Sequence, residues 1–514
     1  MNGAESLVET LTRAGLEVCF TNPGTSEMHV VAALDRTEKI RCVLGLFEGV
    51  VTGAADGYAR MAGKPACTLL HLGPGLANGL ANLHNASKAH TPMVNIVGQH
   101  ALEHLRFETP LKSDIEGIAR PYSSWLRTSE TTAGVGRDAR DAMVAARTAP
   151  GQIATLIVPA DLAWSEGGEV AEIASWPEAR ACQAEALARA AAMLSSGVRT
   201  CLLLAGNALY GPGLAAAGRI AAATGAKLFS PYPFARMERG AGAPLVTRTP
   251  YIFEQAVETF KEFPQMILAG AEAPRSYFAH PSKGTVPTRE DCAIHALAKP
   301  TEDPGGALES LAEALEVPRA VSLVRKMERL AAPRGAIGLP GISLAIAATL
   351  PEDAVIVEES MTSGRGLMEA TAAIGPHDLL ANTGGSIGIA MPLALGAAVA
   401  CPERRVLCLS ADGSGMYTAQ ALWTMAREKL NVTTVIYANR VYGVLEREFL
   451  SLKLGAAGPR AQDLFEIGRP DMDWVSLAKG MGVAGRRVAS LEELVVALRE
   501  GFAKAGPCLI QVDL

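Results

Sequence analysis

The chain reads as an α/β protein of three domains, each a mostly parallel sheet covered by helices, and three observations predict this. Apolar runs of strand length alternate with helix-length runs from end to end. The segment LCLSADGSGMYTAQALWTMAREKLNVTTVIYANRVYGV reads as one strand–helix–strand unit, which a parallel sheet requires. Two distant stretches, GVVTGAADGYARMAGKPACTLLHLGPG and SIGIAMPLALGAAVACPERRVLCLSADGS, share one layout: small-residue helix, Pro-containing turn, apolar strand, Gly-rich turn. This weak repeat predicts two related α/β domains facing each other, with Ala and Gly permitting close helix packing.

Each block then supplies its elements in order. In the first, Met1 to about Asp161, LVETLTRAGL, AADGYARMAG and ANGLANLHNASKA read as helices. VCFTNPG, VLGLFEG, ACTLLHLGPG, MVNIVGQ and ATLIVPADL read as strands running into turns. A polar stretch, 165–181, reads as a linker. In the second block, Cys182 to Lys326, the strands are CLLLAGNAL, AKLFSPY and QMILAGAE, and Pro274 to Pro304 reads as an irregular surface loop. The third block, Gly338 to Leu514, holds the strands AVIVEES, RRVLCLSADGS, TTVIYANR and CLIQVDL, with a helix over Tyr417 to Lys429.

Composition bounds the function. With 514 residues, 49% hydrophobic and 19% charged, the chain can bury large cores, and disorder is excluded. The net charge of −6, with no basic stripe, makes nucleic acid and anionic membrane poor partners. Nine scattered cysteines without a CxxC pair fit buried reduced thiols in a cytoplasmic protein. The first fifteen residues read as an amphipathic helix rather than a signal peptide, and no apolar run reaches membrane-span length.

Asp412 and Asn439 end the two strands of the strand–helix–strand unit, so a carboxylate and an amide oxygen meet at one sheet edge. Gly413 and Ser414 open a helix N-terminus beside them, which favours phosphate. Mg²⁺ takes one or two protein oxygens plus phosphate oxygens. The unit therefore reads as a site for a magnesium-bound diphosphate. Taken singly, Asp412 could be a helix cap and Asn439 a turn residue.

Glu48 is the second signal. It follows an apolar run, where a charged unpaired carboxyl is costly, so it suits proton donation or short hydrogen bonds; alternatively it caps the following helix. Thr25, His71 and Asn78 fall in turns at other predicted strand ends, the edge where open α/β sheets bind ligands. His71 alone could be a core histidine. His84, His90, His100, His104, His295 and His377 show no metal-ligand spacing, and His29 reads as structural.

Together TNPGTSE, LFEGVVTGAADGYAR, LLHLGPGLANGLANL, TPMVNIVGQ, NTGGSIGIAMPLALGAA and ADGS…YANRVYGV resemble the thiamine-diphosphate-dependent enzymes of the acetolactate synthase and benzoylformate decarboxylase superfamily, over essentially the full length. The resemblance implies a pyrimidine-binding domain (1–165), an α/β central domain (182–330) and a diphosphate-binding domain (338–514). It implies thiamine diphosphate and Mg²⁺ as cofactors, a small-molecule 2-oxo acid as substrate, and a homodimer or homotetramer with active sites between subunits. By the same resemblance Asp412, Asn439 and the Val441 carbonyl hold the metal. Gly413 and Ser414, with Thr362, contact the diphosphate. Glu48 hydrogen-bonds the pyrimidine ring, the Gly385 carbonyl accepts from its amino group, and Ile387 keeps the cofactor bent. Thr25 and His71 match a serine and a histidine of the decarboxylase branch, with Asn78 in the same cavity. Tyr277 and His280 lie near another decarboxylase histidine, and Val444 and Leu445 give the pocket an apolar wall.

The chain departs from the family pattern at Ala411 and Ala438, beside the metal residues, and at Arg440. The arginine stretches that surround flavin in anabolic acetolactate synthases are missing, so no functional FAD is expected, and no C-terminal lipid-binding extension is seen. The leading expectation is 2-oxo acid decarboxylation with carboligation, acetolactate synthase-like. The alternatives are a non-oxidative decarboxylase of benzoylformate type, a cofactor-binding homologue without turnover, and a magnesium-dependent phosphotransferase using the Asp412 unit alone.

Overall fold

The computed structural model describes residues 1–281 and 283–514. The amphipathic helix α1 (Gly3–Arg13) opens the chain behind a capping box at Asn2. The first sheet follows: β1 (Val18–Asn22), β2 (Arg41–Leu44), β3 (Ala66–Leu70), β4 (Met93–Gln99), β5 (Trp125–Thr128) and β6 (Ile153–Pro159). They are all parallel, in the order β2-β1-β3-β4-β6-β5. β1, β3, β4 and β6 are buried along almost their whole length, because helices cover both faces, so their sequences read as continuous apolar runs.

The next segment gives β7 (Thr200–Leu204), β8 (Lys227–Ser230), β9 (Arg236–Arg239), β10 (Thr247–Arg248), β11 (Gln265–Ala269) and β12 (Ala293–Ala298). Five of these form a parallel sheet, β10-β8-β7-β11-β12. The last segment gives β13 (Ala354–Glu359), β14 (His377–Ala381), β15 (Val406–Ala411), β16 (Val432–Ala438), β17 (Ala484–Val488) and β18 (Cys508–Asp513), ordered β17-β18-β16-β15-β13-β14-β9. Only β9 runs antiparallel, on β14.

Several expectations need correction. The stretch from Pro274 to Pro304 is not all loop, since it contains β12. That strand is exposed over much of its length and rich in Ala, so neither burial nor β propensity announces it. β9 (RMER) is polar and is a strand because β14 offers it a partner. The helix expected over Tyr417–Lys429 is present only at Ala421–Arg427. Gly73-Pro74-Gly75 is not a turn between elements but the first turn of the helix Leu72–Lys88. All nine cysteines are free, yet Cys42 is exposed and four others are only half-buried. Among the described residues, no helix is long and apolar enough to cross a membrane.

The facing of the first and third segments is explicit. Helix α2 (Glu48–Ala62) packs on a later, wholly apolar helix, Ala390–Ala400, through glycines. A Cβ at Gly57 would lie 2.1 Å from the Leu393 carbonyl oxygen, and one at Gly396 would lie 1.8 Å from that of Ala54. Bulkier residues would hold the two backbones apart. Beside this contact Arg60 grips Asp56 through two bonds, of 2.8 and 2.5 Å, both side chains being buried. The same guanidinium donates to the Ala381 carbonyl (2.8 Å) and to Thr383 Oγ1 (3.2 Å), so its charge and its donors are satisfied across the domain boundary.

Gly396→Ala should lower stability by about 1–3 kcal/mol through overpacking. Gly480→Ala, where a Cβ meets nothing within 4 Å, should be neutral or slightly stabilising. Thermal midpoints of the two variants, compared with the parent, check this.

Candidate active site

Two groups of residues gather at the carboxyl edges of the first and third sheets, each where strand order reverses. In the first sheet the reversal lies between β1 and β3, the crevice such folds use for ligands. The turn after β1 and the residue after β3 therefore face one another. His71, between β3 and α3 (Leu72–Lys88), brings Nδ1 to 2.8 Å from Glu27 Oε2. Glu27 is 1% exposed and also accepts from Gly24 N–H (2.8 Å) and Ser26 Oγ (2.8 Å). Two glycines make the room. A Cβ at Gly98 would lie 1.8 Å from Glu27 Oε1, and one at Gly24 would lie 2.1 Å from His71 Nδ1.

Glu48 does not end a strand and does not cap a helix. It is the first residue of α2, behind Phe47 at the cap, and its half-buried carboxylate accepts from Asn78 Nδ2 of α3 at 3.0 Å. Gly75 separates it from His71: a Cβ there would stand 3.2 Å from Glu48 Oε1 and 3.4 Å from His71 Cβ. Thr52 bonded to the Gly79 carbonyl and Asn82 bonded to the Gly49 carbonyl staple the two helices below this point. Glu48, His71 and Asn78 are thus brought together. Thr25 is exposed, and Ser26 and Glu27 reach the histidine instead. Sequence reasoning missed both; the available signal was a glutamate two residues beyond Thr25, in the same predicted turn.

In the third sheet the reversal lies between β13 and β15. Asp412 follows β15 and is 2% exposed. Burial pushes its carboxyl upward, against the backbone N–H groups of Arg440 (2.7 Å) and Gly413 (2.8 Å), which favour the charged form. The parallel register pairs Ala411 with Tyr437, setting Asn439 beside Asp412. Gly413 and Ser414 belong to a four-residue helical turn, Asp412–Gly415, rather than to a long helix. A Cβ at Gly413 would strike Tyr442, and one at Gly443 would lie 3.1 Å from Thr362 Oγ1, so Thr362 faces the loop that holds Val441.

Arg440 has a clear structural role. In the left-handed conformation (φ 59°), it turns its N–H to Asp412 and its guanidinium to Asp471 (2.9 and 3.1 Å) and Asp513 (3.0 Å). It ties the loop between Asn439 and Val441 to the sheet.

The turn Gly385–Gly388 lies against this group. Gly385 (φ 78°) and Gly388 (φ 94°) flank Ser386 and Ile387 in backbone that favours glycine. Asn382 Oδ1 accepts from Gly385 N–H, and the Ser386 carbonyl accepts from Asn382 and from Asn85 of α3. Beneath it Glu359, at the end of β13 and 2% exposed, accepts from Gly388, Ala390 and Asn382. Burial pushes this carboxyl up to about 7, although all of these donors favour its charged form. Sequence reasoning passed over Glu359 as part of a strand. Tyr277 reaches Gly385 with its hydroxyl, and His280 lies 3.4 Å from Ser451 Oγ on the helix Gly443–Ser451, so the central segment borders this group.

The donor set fits a magnesium diphosphate. Asp412 is a buried carboxylate with no cationic side chain upon it. Among the described residues no three His, Cys, Asp or Glu side chains converge on a point, so a metal here would take oxygen ligands of mixed kind.

Comparison with known proteins identifies the family. Residues 1–118 match the model of the thiamine pyrophosphate enzyme N-terminal TPP binding domain, and residues 367–512 match that of its C-terminal TPP binding domain. A protein of Mycobacterium tuberculosis named "Putative acetolactate synthase large subunit IlvX" is 48% identical over 100% of this chain and 99% of its own length. This chain belongs to the thiamine pyrophosphate enzymes. Among other members, the benzoylformate decarboxylase of Pseudomonas aeruginosa is 27% identical over 98% of this chain and 97% of its own. The fold of a Rhodococcus jostii 4-hydroxybenzoylformate decarboxylase superposes with a TM-score of 0.87 at 23% identity, over 100% of this chain and 99% of that one.

Two outcomes are expected. The folded protein holds the Glu359 proton to higher pH than the unfolded chain does. Between about 4.5 and 7 its contribution to stability therefore falls as pH rises, by roughly 3 kcal/mol in all. The stability difference between the parent and Glu359→Gln, from urea unfolding at pH 5 and pH 7.5, should shrink accordingly. Arg440→Ala should weaken Mg²⁺-dependent thiamine diphosphate binding about tenfold, or about 1.4 kcal/mol, as read by calorimetry.

Proposed function

We propose that this thiamine pyrophosphate enzyme decarboxylates a 2-oxo acid and joins the product to a second carbonyl compound, as the name of its 48%-identical relative suggests. The observation that carries the reading is the pairing of two prepared edges in one chain: Glu48 held by Asn78 at a helix start, and buried Asp412 beside Asn439.

In this reading Asp412, Asn439 and the Val441 carbonyl hold Mg²⁺, while Gly413, Ser414 and Thr362 take the diphosphate. Gly385, Ile387 and Glu48 take the pyrimidine side, with Glu48 supplied by one subunit and the metal group by its partner in a dimer or tetramer. Bound thiamine diphosphate supplies the thiazolium that accepts electrons as carbon dioxide leaves. The chain's own residues orient and move protons. Glu48, held by Asn78, would hydrogen-bond the pyrimidine. Glu359 and Asn382 fix the turn that would hold the cofactor's bend.

A specific observation favours a second reading, non-oxidative decarboxylation of benzoylformate type. With Nδ1 of His71 committed to Glu27, Nε2 is left to give or take a proton, which suits release of an aldehyde.

Glu48→Gln is expected to abolish proton exchange at the thiazolium C2 while leaving Mg²⁺-diphosphate binding largely intact; near-normal exchange would overturn the role of Glu48. Product analysis separates the two readings: acetolactate from pyruvate supports the first, benzaldehyde from benzoylformate the second. His71→Ala should cost about 10²-fold in kcat for aldehyde release, checked by steady-state kinetics.

A further inference from the structure

A cleft of about 670 Å³ opens beside the Gly385–Gly388 turn, between the carboxyl ends of β13 and β14 and the central segment. Asn382 and Glu359, which hold that turn, also line the cleft. So do five arginines: Arg239, Arg248, Arg325, Arg365 and Arg447. They come from four separate stretches of sequence, so no charge run predicts their meeting. Arg447 lies on the helix that follows Val441, one turn beyond Val444 and Leu445.

Their pairing is unusual. Arg248 lies over the Tyr232 ring at 5.0 Å, with Glu358 no nearer than 3.8 Å. Arg239 is buried and donates to the Met368 carbonyl (2.7 Å), a neutral group. Among the described residues, Arg239, Arg325, Arg365 and Arg447 form no ion pair. They also oppose one another. Burial and then Arg248 lower Arg239 to about 10, and burial and then Arg365 lower Arg447. Glu358, Glu359 and Glu369 also line the cleft, so five guanidinium groups face three carboxyl groups, of which burial pushes Glu359 up to about 7; the excess of positive charge favours an anion placed there.

We infer that this cleft binds a second carboxylate of the substrate, so that the 2-oxo acid taken by this site is dicarboxylic. The inference rests on the thiamine reading for the position of the reacting carbonyl, at the turn end of the cleft. It departs from the apolar wall expected of Val444 and Leu445, neither of which lines this cleft, and the half-buried Arg447 supplies the recognition instead. Guanidinium groups suit this task because their planar fork matches a carboxylate.

The test compares acids of equal length with and without the second charge: 2-oxoglutarate against 2-oxopentanoate, and 2-oxoadipate against 2-oxohexanoate. Binding to the protein loaded with thiamine diphosphate and Mg²⁺ is read by calorimetry, and turnover by carbon dioxide release. The parent should bind at least one dicarboxylic acid ten or more times more tightly than its monocarboxylic counterpart. That ratio should fall at least tenfold in Arg447→Met and in Arg365→Met, each checked for parental circular dichroism. Equal affinities in the parent, no binding of any of the four acids, or a ratio unchanged in both variants would overturn the site. A binding preference without carbon dioxide from any acid would instead overturn the decarboxylase reading and leave the anion site standing.

Discussion

The close approach of two small-residue helices is the constraint on which the rest depends. Glu48–Ala62 and Ala390–Ala400 can meet only because Gly57 and Gly396 leave no side chain between backbones. Glu48 is the first residue of one of these helices, and the Gly385–Gly388 turn leads directly into the other. Displacing the contact would therefore move both functional edges together. Arg60 fixes the same boundary electrostatically. Its charge is matched by Asp56, and its remaining donors reach Ala381 and Thr383, the approach to the turn. A buried ion pair gives specificity only when every donor is answered, and here the answers come from both domains.

The turn itself is over-determined. Asn85 from the first segment, Asn382 from β14's exit and Glu359 from β13's end all hold it. Two glycines lose much conformational freedom when a loop is ordered, and these hydrogen bonds supply the compensation. A similar restraint acts on the loop after β16, where the left-handed Arg440 is held by two aspartates while its N–H orients Asp412. A residue that departs from the family pattern thus carries a local structural duty.

Much of this was legible in the sequence. Strands buried on both faces announce themselves as apolar runs, so β1, β3, β4, β6, β7, β8, β11, β13, β15, β16 and β18 were found, although the buried β14 (HDLLA), with two polar residues at its start, was not. Of the edge strands only β2 was found; β5, β9, β10, β12 and β17 are short, polar or partly exposed, and pairing alone makes them strands. Glu48, His71 and Asn78 were legible as neighbours of strand ends, although Glu48 and Asn78 sit on helices, and so was the Asp412–Asn439 unit. Glu27 and Glu359 were not, because an acid is informative only when its burial is known, and burial belongs to the packed fold.

The sequence by itself determined the parallel α/β architecture, the two candidate site edges and the family, because period, apolar run length and glycine-rich turns are local properties of the chain. Only the tertiary structure decided which acid backs His71, what anchors the Gly385 turn, and that five arginines distant in sequence share one cleft. Those are contacts between segments that have no common sequence neighbourhood, and their energies arise from burial and desolvation, which exist only once the domains have closed on one another.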